Sequence, residues 1–288
     1  MSENKIIKAI KDKGKTMEAE MSFFDHLEAL RWHLIRASVA IVIFTSVVFY
    51  FYDWIFANVI MGPSMPTFWT YRMLCELGTA LHRPGFCIDK INISLINTEL
   101  AGQFTLQINS ALIIGITMGI PYLIWEIWRF IKPALHEKER KAATGFVFYA
   151  CMLFFMGVCF GYYVITPMSI NFLSSYTVST KIQNLFSIDS YISSVATLTL
   201  ATGVVFELPI LVYILSNLGV LTPKFMRETR RYAVVIILIV AAIVTPTPDM
   251  LTMTVVSIPL FVLYEVSIIV ASLVEKRKLK KHDDMMTS

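Results

Sequence analysis

GVVFELPILVYIL, Gly203 to Leu215, carries one carboxylate, Glu207, in an otherwise apolar run. If that run crosses a lipid bilayer, the acid costs roughly 2.5–3.5 kcal/mol on insertion scales. A cost of that size calls for a function. Whether runs of this kind cross a membrane decides the fold.

The composition answers for the membrane. The chain has 288 residues, of which 56% are hydrophobic and 16% charged, whereas soluble domains carry about one quarter charged residues. Six apolar runs stand out, near Leu34–Met61, Phe104–Ile131, Ala142–Leu173, Tyr191–Leu221, Tyr232–Val244 and Met250–Val274. A span needs about 20 residues to cross about 30 Å of hydrocarbon. The fifth run ends before Pro246 and reaches only about 20 Å at about 1.5 Å per residue. It stops short of the far interface unless the bilayer thins around it.

Basic residues give the orientation. The loops and arms on one side hold Lys5 to Lys15, Arg31, Arg36, Arg129 to Lys141, Lys224 to Arg231 and Lys276 to Lys281. The opposite loops hold only Arg72, Arg83, Lys90 and Lys181 of the 25 lysines and arginines. The positive-inside rule then predicts a multi-pass membrane protein with both termini in the cytoplasm. Topology accounts for the net charge of +4, so no nucleic-acid partner is expected. A charged arm precedes the first run, and no cleavable signal peptide is expected.

The chain divides into a cytoplasmic arm (1–21), a six-helix membrane domain (22–275) and a basic tail (276–288). Ser22 to Ala37 reads as an amphipathic helix feeding the first span, with Phe23, Leu27, Leu30 and Leu34 at helical intervals. Glu28 and Arg31 lie three apart on its polar face and can pair. The outer loop of about 62–103 is long for a connector, a length usually functional or disordered. Cys75 and Cys87 within it read equally as a disulfide or as two free thiols; Cys151 and Cys159 read as small packing residues. Pro121, Pro167, Pro209 and Pro259 remove backbone donors and should bend their helices. GITMG (Gly115 to Gly119) and GVCFG (Gly157 to Gly161) fit close helix contact.

Enzyme signatures are absent. The histidines lack metal-ligand spacing, and no Gly-rich loop precedes a Lys-Ser or Lys-Thr pair; no cofactor is expected. The remaining acids have ordinary readings: Glu126 and Glu265 near the cytoplasmic ends of their spans can reach the interface, and Asp249 suits a helix N-terminus.

The ordered set HLEALR, GPSMP, PYLIWEIWRFIKPALHEKER, GVVFELP, TPTPD and PLFVLYE, covering about residues 22–275, resembles the TatC family, the multispanning core of the twin-arginine protein translocase. The resemblance implies a concave, glove-shaped bundle of six helices, the fifth short and the sixth a second candidate for shortness. It implies a receptor for twin-arginine signal peptides that works with TatA- and TatB-type single-span partners, with further copies of itself and with membrane lipid. Folded cargo would cross on the proton-motive force, with no nucleotide bound here. By position, Glu139 matches the family's cytoplasmic acid that meets the arginine pair, and Phe130 an aromatic nearby. Arg31 and Leu27 match the N-terminal motif. Pro63 matches an outer-loop proline, Glu207 a membrane-embedded acid facing a partner helix, Glu265 an acid of the last span and Asp249 an acid of the last outer turn.

Two positions depart from the family pattern. Ala29 stands where HLxELR has its acid, and Glu28 is one residue early, rotated by about 100°. Glu139 would therefore carry more of the arginine recognition, with Glu137 or Glu126 beside it. Met253 stands where a glutamine is frequent. A competing reading is a small ion- or proton-coupled transporter using Glu207 and Glu265 as relay acids.

Overall fold

The computed structural model describes residues 28, 30–80, 82, 87, 91, 93–131, 143–179, 181, 184–217, 219–245 and 250–286. Among the described residues, five helical stretches are long and apolar enough to cross a membrane: Leu30–Tyr50, Gly102–Phe130, Val147–Ser175, Ile188–Asn217 and Thr252–Leu279. The first is α1. After it come α2 (Tyr52–Ile55), a π-helical turn (Phe56–Ile60), a 3-10 turn (Gly62–Ser64) and α3 (Trp69–Ala80). The second span is α4 (Gly102–Ile131). The third joins α5 (Ala143–Phe160), a π-helical turn (Gly161–Ile165) and α6 (Thr166–Ser175). The fourth joins α7 (Ile188–Val205) and α8 (Leu208–Asn217). Then follow α9 (Pro223–Glu228), α10 (Arg230–Val244) and α11 (Met250–Met286).

The fifth apolar run is the 15-residue α10, about 22 Å long and short as read. The sixth is not short: α11 runs for 37 residues, because its lysine-rich stretch continues the helix past the apolar part. Lys278 Nζ braces that extension by donating to the carbonyls of Ser216 (2.9 Å) and Asn217 (2.7 Å) at the end of α8.

Prolines mark the irregular points. Pro121 and Pro259 lie inside α4 and α11. Pro167 follows the π turn of the third span. Pro209 follows the turn at Phe206 and Glu207 that splits the fourth span, since a proline there has no N–H to donate to Val205.

Both small-residue motifs lie at close crossings. A Cβ on Gly115 would stand 2.7 Å from the Cα of Thr45 on α1. A Cβ on Gly157 would stand 2.8 Å from the Cα of Gly203 and 2.7 Å from the Cβ of Phe206. The third, fourth, fifth and sixth spans share an apolar cluster that includes Ile165, Leu198, Ile237, Ala241, Val256 and Leu260. Between the π-helical turn Phe56–Ile60 and the second, third and fourth spans lies an apolar cavity of about 290 Å³ lined by Val59, Thr117, Cys159, Tyr162 and Thr199 among others.

The long loop between the first two spans contains α3 and a short strand, β1 (Leu95–Ile96), which pairs in parallel with β2 (Phe186–Ser187) of the loop between the third and fourth spans. Cys75 and Cys87 are joined by a disulfide, which decides between the two readings left open by the sequence.

Candidate functional site

The end of the first two spans gathers the polar residues expected to matter. Glu126 lies on α4, one turn before its end, and only 1% of it is exposed. One carboxylate oxygen accepts from the Nδ1 of His33 on α1. The other accepts from the Tyr122 hydroxyl at 2.9 Å and from Arg129 at 3.3 Å. Arg36 stands 3.9 Å away. Spacing explains the set: Tyr122, Glu126 and Arg129 lie four and three residues apart on one helical face. His33 and Arg36 repeat that interval on α1.

A buried carboxylate is tolerable when its lone pairs are met and opposite charge is near, and here both hold. The side chain ties the first span to the second. Phe130 meets the His33 ring edge-on at 6.1 Å, and the Arg129 guanidinium lies over the Trp125 ring at 5.6 Å. Glu28, two residues before α1, and Arg31 on α1 are exposed and form no ion pair among the described residues. Leu27, Ala29, Glu139 and Asp249 lie outside the described residues.

Glu207 sits in the turn that splits the fourth span. Its N–H donates to Val204 O (3.1 Å), and its carbonyl accepts from Ile210 and Leu211 (both 3.0 Å). The backbone is thus satisfied while the side chain is not: Glu207 Oε1 is buried without a hydrogen-bond partner among the described residues. Glu265 is half exposed and pairs with Arg230 at 2.9 Å, which leaves it an ion pair between α11 and α10. Met253, in place of the frequent glutamine, packs against the apolar cluster of the last four spans.

At the opposite end of the spans, Pro63 is fully buried in its 3-10 turn. Its carbonyl accepts from the Tyr71 hydroxyl at 3.0 Å. Among the described residues, no group of three or more His, Cys, Asp or Glu side chains is placed to hold a metal ion.

Sequence reasoning did not single out His33, Arg36, Tyr122 or Tyr71. For His33 and Arg36 a signal existed, since both repeat on the α1 face three apart. For Tyr71 there was none.

Residues 25–259 match the model of the family described as Sec-independent protein translocase protein (TatC). The chain belongs to the TatC family. The TatC protein of Blattabacterium sp. subsp. Periplaneta americana is 35% identical over 266 residues, which is 92% of this chain and 100% of that protein. The TatC protein of Deinococcus radiodurans is 35% identical over 254 residues, 88% of this chain and 86% of that one. A crystal structure of the twin arginine translocase receptor TatC in DDM superposes with a TM-score of 0.65 at 29% identity, covering 85% of this chain and 99% of that one. A second crystal structure of that receptor gives 0.61 at 29% identity, covering 87% and 99%. The helical architecture is therefore that of TatC, a six-helix membrane protein.

Proposed function

We propose that this chain is the receptor and core scaffold of a twin-arginine protein translocase. It binds twin-arginine signal peptides at the basic, cytoplasmic end of its first two spans. It organises TatA- and TatB-type single-span partners and further copies of itself, and it exports folded proteins on the proton-motive force. It is a non-catalytic subunit with both termini in the cytoplasm of a bacterial inner membrane.

The observation that carries the reading is the construction at Glu126. There α1 and α4 are clamped by one buried carboxylate, so the exposed Arg31 of α1, with Glu28 just ahead of that helix, and Phe130 of α4 form one end of the bundle. Glu139 follows nine residues after Phe130 in sequence and takes the guanidinium pair. A carboxylate accepts two parallel N–H bonds from a planar guanidinium, which a lysine ammonium cannot reproduce. Glu126 supports that face more than it accepts from the signal, because its oxygens are already occupied. Glu207 offers its unpartnered oxygen to a polar group on an inserted signal or a partner helix. Leu27, Pro63, Glu265 and Asp249 keep the supporting roles that the family resemblance implies.

The test is binding of a labelled twin-arginine signal peptide to the purified full-length protein, beside its twin-lysine variant and the Glu139→Gln protein. Binding that both changes abolish supports the assignment. Equal binding in all three removes Glu139 from recognition and leaves the family membership untouched.

A further inference from the structure

Seen around its axis at about 100° per residue, α3 has three sides. Thr70, Tyr71 and Gly78 are buried, and Thr70 and Tyr71 bond the third span at Tyr163 and Pro167. Arg72 and Glu76 are exposed and polar. Trp69, Met73 and Leu77 follow one another at intervals of four along a third side, and they are 55%, 43% and 47% exposed. Three large apolar side chains on one line of this helix are thus left about half uncovered.

The place of that line shows what surrounds it. The Trp69 ring meets Tyr163 edge-on at 5.9 Å, and the Thr70 hydroxyl donates to the Tyr163 carbonyl. Tyr163 belongs to the third span, Val147–Ser175, and is itself 40% exposed. Counting about 20 residues of hydrocarbon from Val147 sets the outer edge near Pro167, with Tyr163 about 6 Å inside it. Tyr50 and Trp54, at the outer end of the first span, are also largely exposed. Tyrosine and tryptophan in such positions form the girdle at a membrane–water boundary. The apolar side of α3 is continuous with that lipid-facing surface.

We propose that α3 is an interfacial helix, lying along the outer leaflet with Trp69, Met73 and Leu77 immersed at the boundary of acyl chains and headgroups. Arg72 and Glu76 then point to headgroups and water, the arrangement expected of a helix that lies on a bilayer rather than crossing it. The Tyr71 hydroxyl and the Cys75–Cys87 disulfide fix the helix from its other sides, so the apolar line stays turned toward lipid. The partner is the lipid of that leaflet. The long outer loop thereby becomes a membrane-surface anchor.

The experiment uses the full chain with its disulfide intact and Cys151 and Cys159 replaced by alanine. Nitroxides are placed singly at 69, 72, 73, 76 and 77, and the protein is reconstituted in phosphatidylcholine–phosphatidylglycerol vesicles. Labels at 69, 73 and 77 should be several-fold more accessible to oxygen than to a water-soluble nickel chelate, and labels at 72 and 76 the reverse. Nickel accessibility at all five overturns the proposal, as does protection of 69, 73 and 77 from both reagents, which means that protein covers them. A second reading needs no label on α3. The Trp69 emission, taken as the difference between the native chain and Trp69→Phe, should be quenched by brominated lipid more than by aqueous iodide; the opposite order overturns the proposal.

Discussion

Tyr71 donates its hydroxyl to the carbonyl of Pro167, 96 residues further along the chain, at 2.9 Å, and shares it with the carbonyl of Pro63 at 3.0 Å. One buried phenol thus ties the turn at Pro63, the start of α6 and α3 into a single unit. Tyr71→Phe keeps the ring but leaves two carbonyls without that donor, which costs roughly 1–3 kcal/mol. A lowered Tm of the detergent-purified protein checks this; an unchanged Tm would show that other donors replace the hydroxyl.

The same phenol gives a pH dependence. Burial raises the Tyr71 pKa above its ordinary value, while in the unfolded chain it titrates near about 10. With the folded value raised, its contribution is complete below about pH 10 and is lost as pH climbs toward the folded pKa. The alkaline loss of stability above about pH 10 should therefore be smaller in Tyr71→Phe than in the native chain, read as Tm against pH.

The clamp between His33 and Glu126 joins positions 93 residues apart. Removing either partner strands the other near a buried site, so Glu126→Ala and His33→Ala should each lower stability. Their combination should fall short of the sum by about 0.5–3 kcal/mol, the coupling expected of residues in one network. A double-mutant cycle measured by thermal unfolding decides it, with simple additivity counting against the clamp.

Glu207 should show the opposite balance. An acid whose oxygen lies buried without a partner costs the isolated protein stability. Glu207→Leu should raise the Tm by an amount corresponding to roughly 1–3 kcal/mol while lowering export of twin-arginine cargo. A variant that is both less stable and fully active in export would contradict this.

At the crossing of the third and fourth spans, a Cβ on Gly157 meets the backbone of Gly203 at 2.8 Å. Backbone yields less readily than a side-chain tip, so Gly157→Ala forces the helices apart at a cost of about 1–3 kcal/mol. Less protein in the membrane fraction and a lower Tm are the expected readouts.

Much of the bundle was legible because a bilayer imposes simple rules. Apolar length gave the spans and the shortness of α10, and proline positions gave the irregular points of the third and fourth spans. The embedded acid stood out as a polar residue in an apolar run. Other features carry no periodic signal. The pairing of Leu95 with Phe186 joins two loops 91 residues apart, and nothing near either strand announces it. Glu126 read as an acid free to reach the interface. Its burial depends on His33 and Arg36, which the sequence shows but does not bring to it. The last helix read as ending with its apolar part, because a lysine-rich stretch looks like a tail until a brace such as Lys278 to Ser216 and Asn217 holds it.

That brace sets a clearance. Thirty-seven residues make a rod of about 55 Å against about 30 Å of hydrocarbon, leaving about 25 Å standing off the membrane. A folded domain of about 100 residues has a radius of gyration near 13 Å, so the projecting part is about twice that radius. On the proposed cytoplasmic face, this post stands beside any cargo held by its signal.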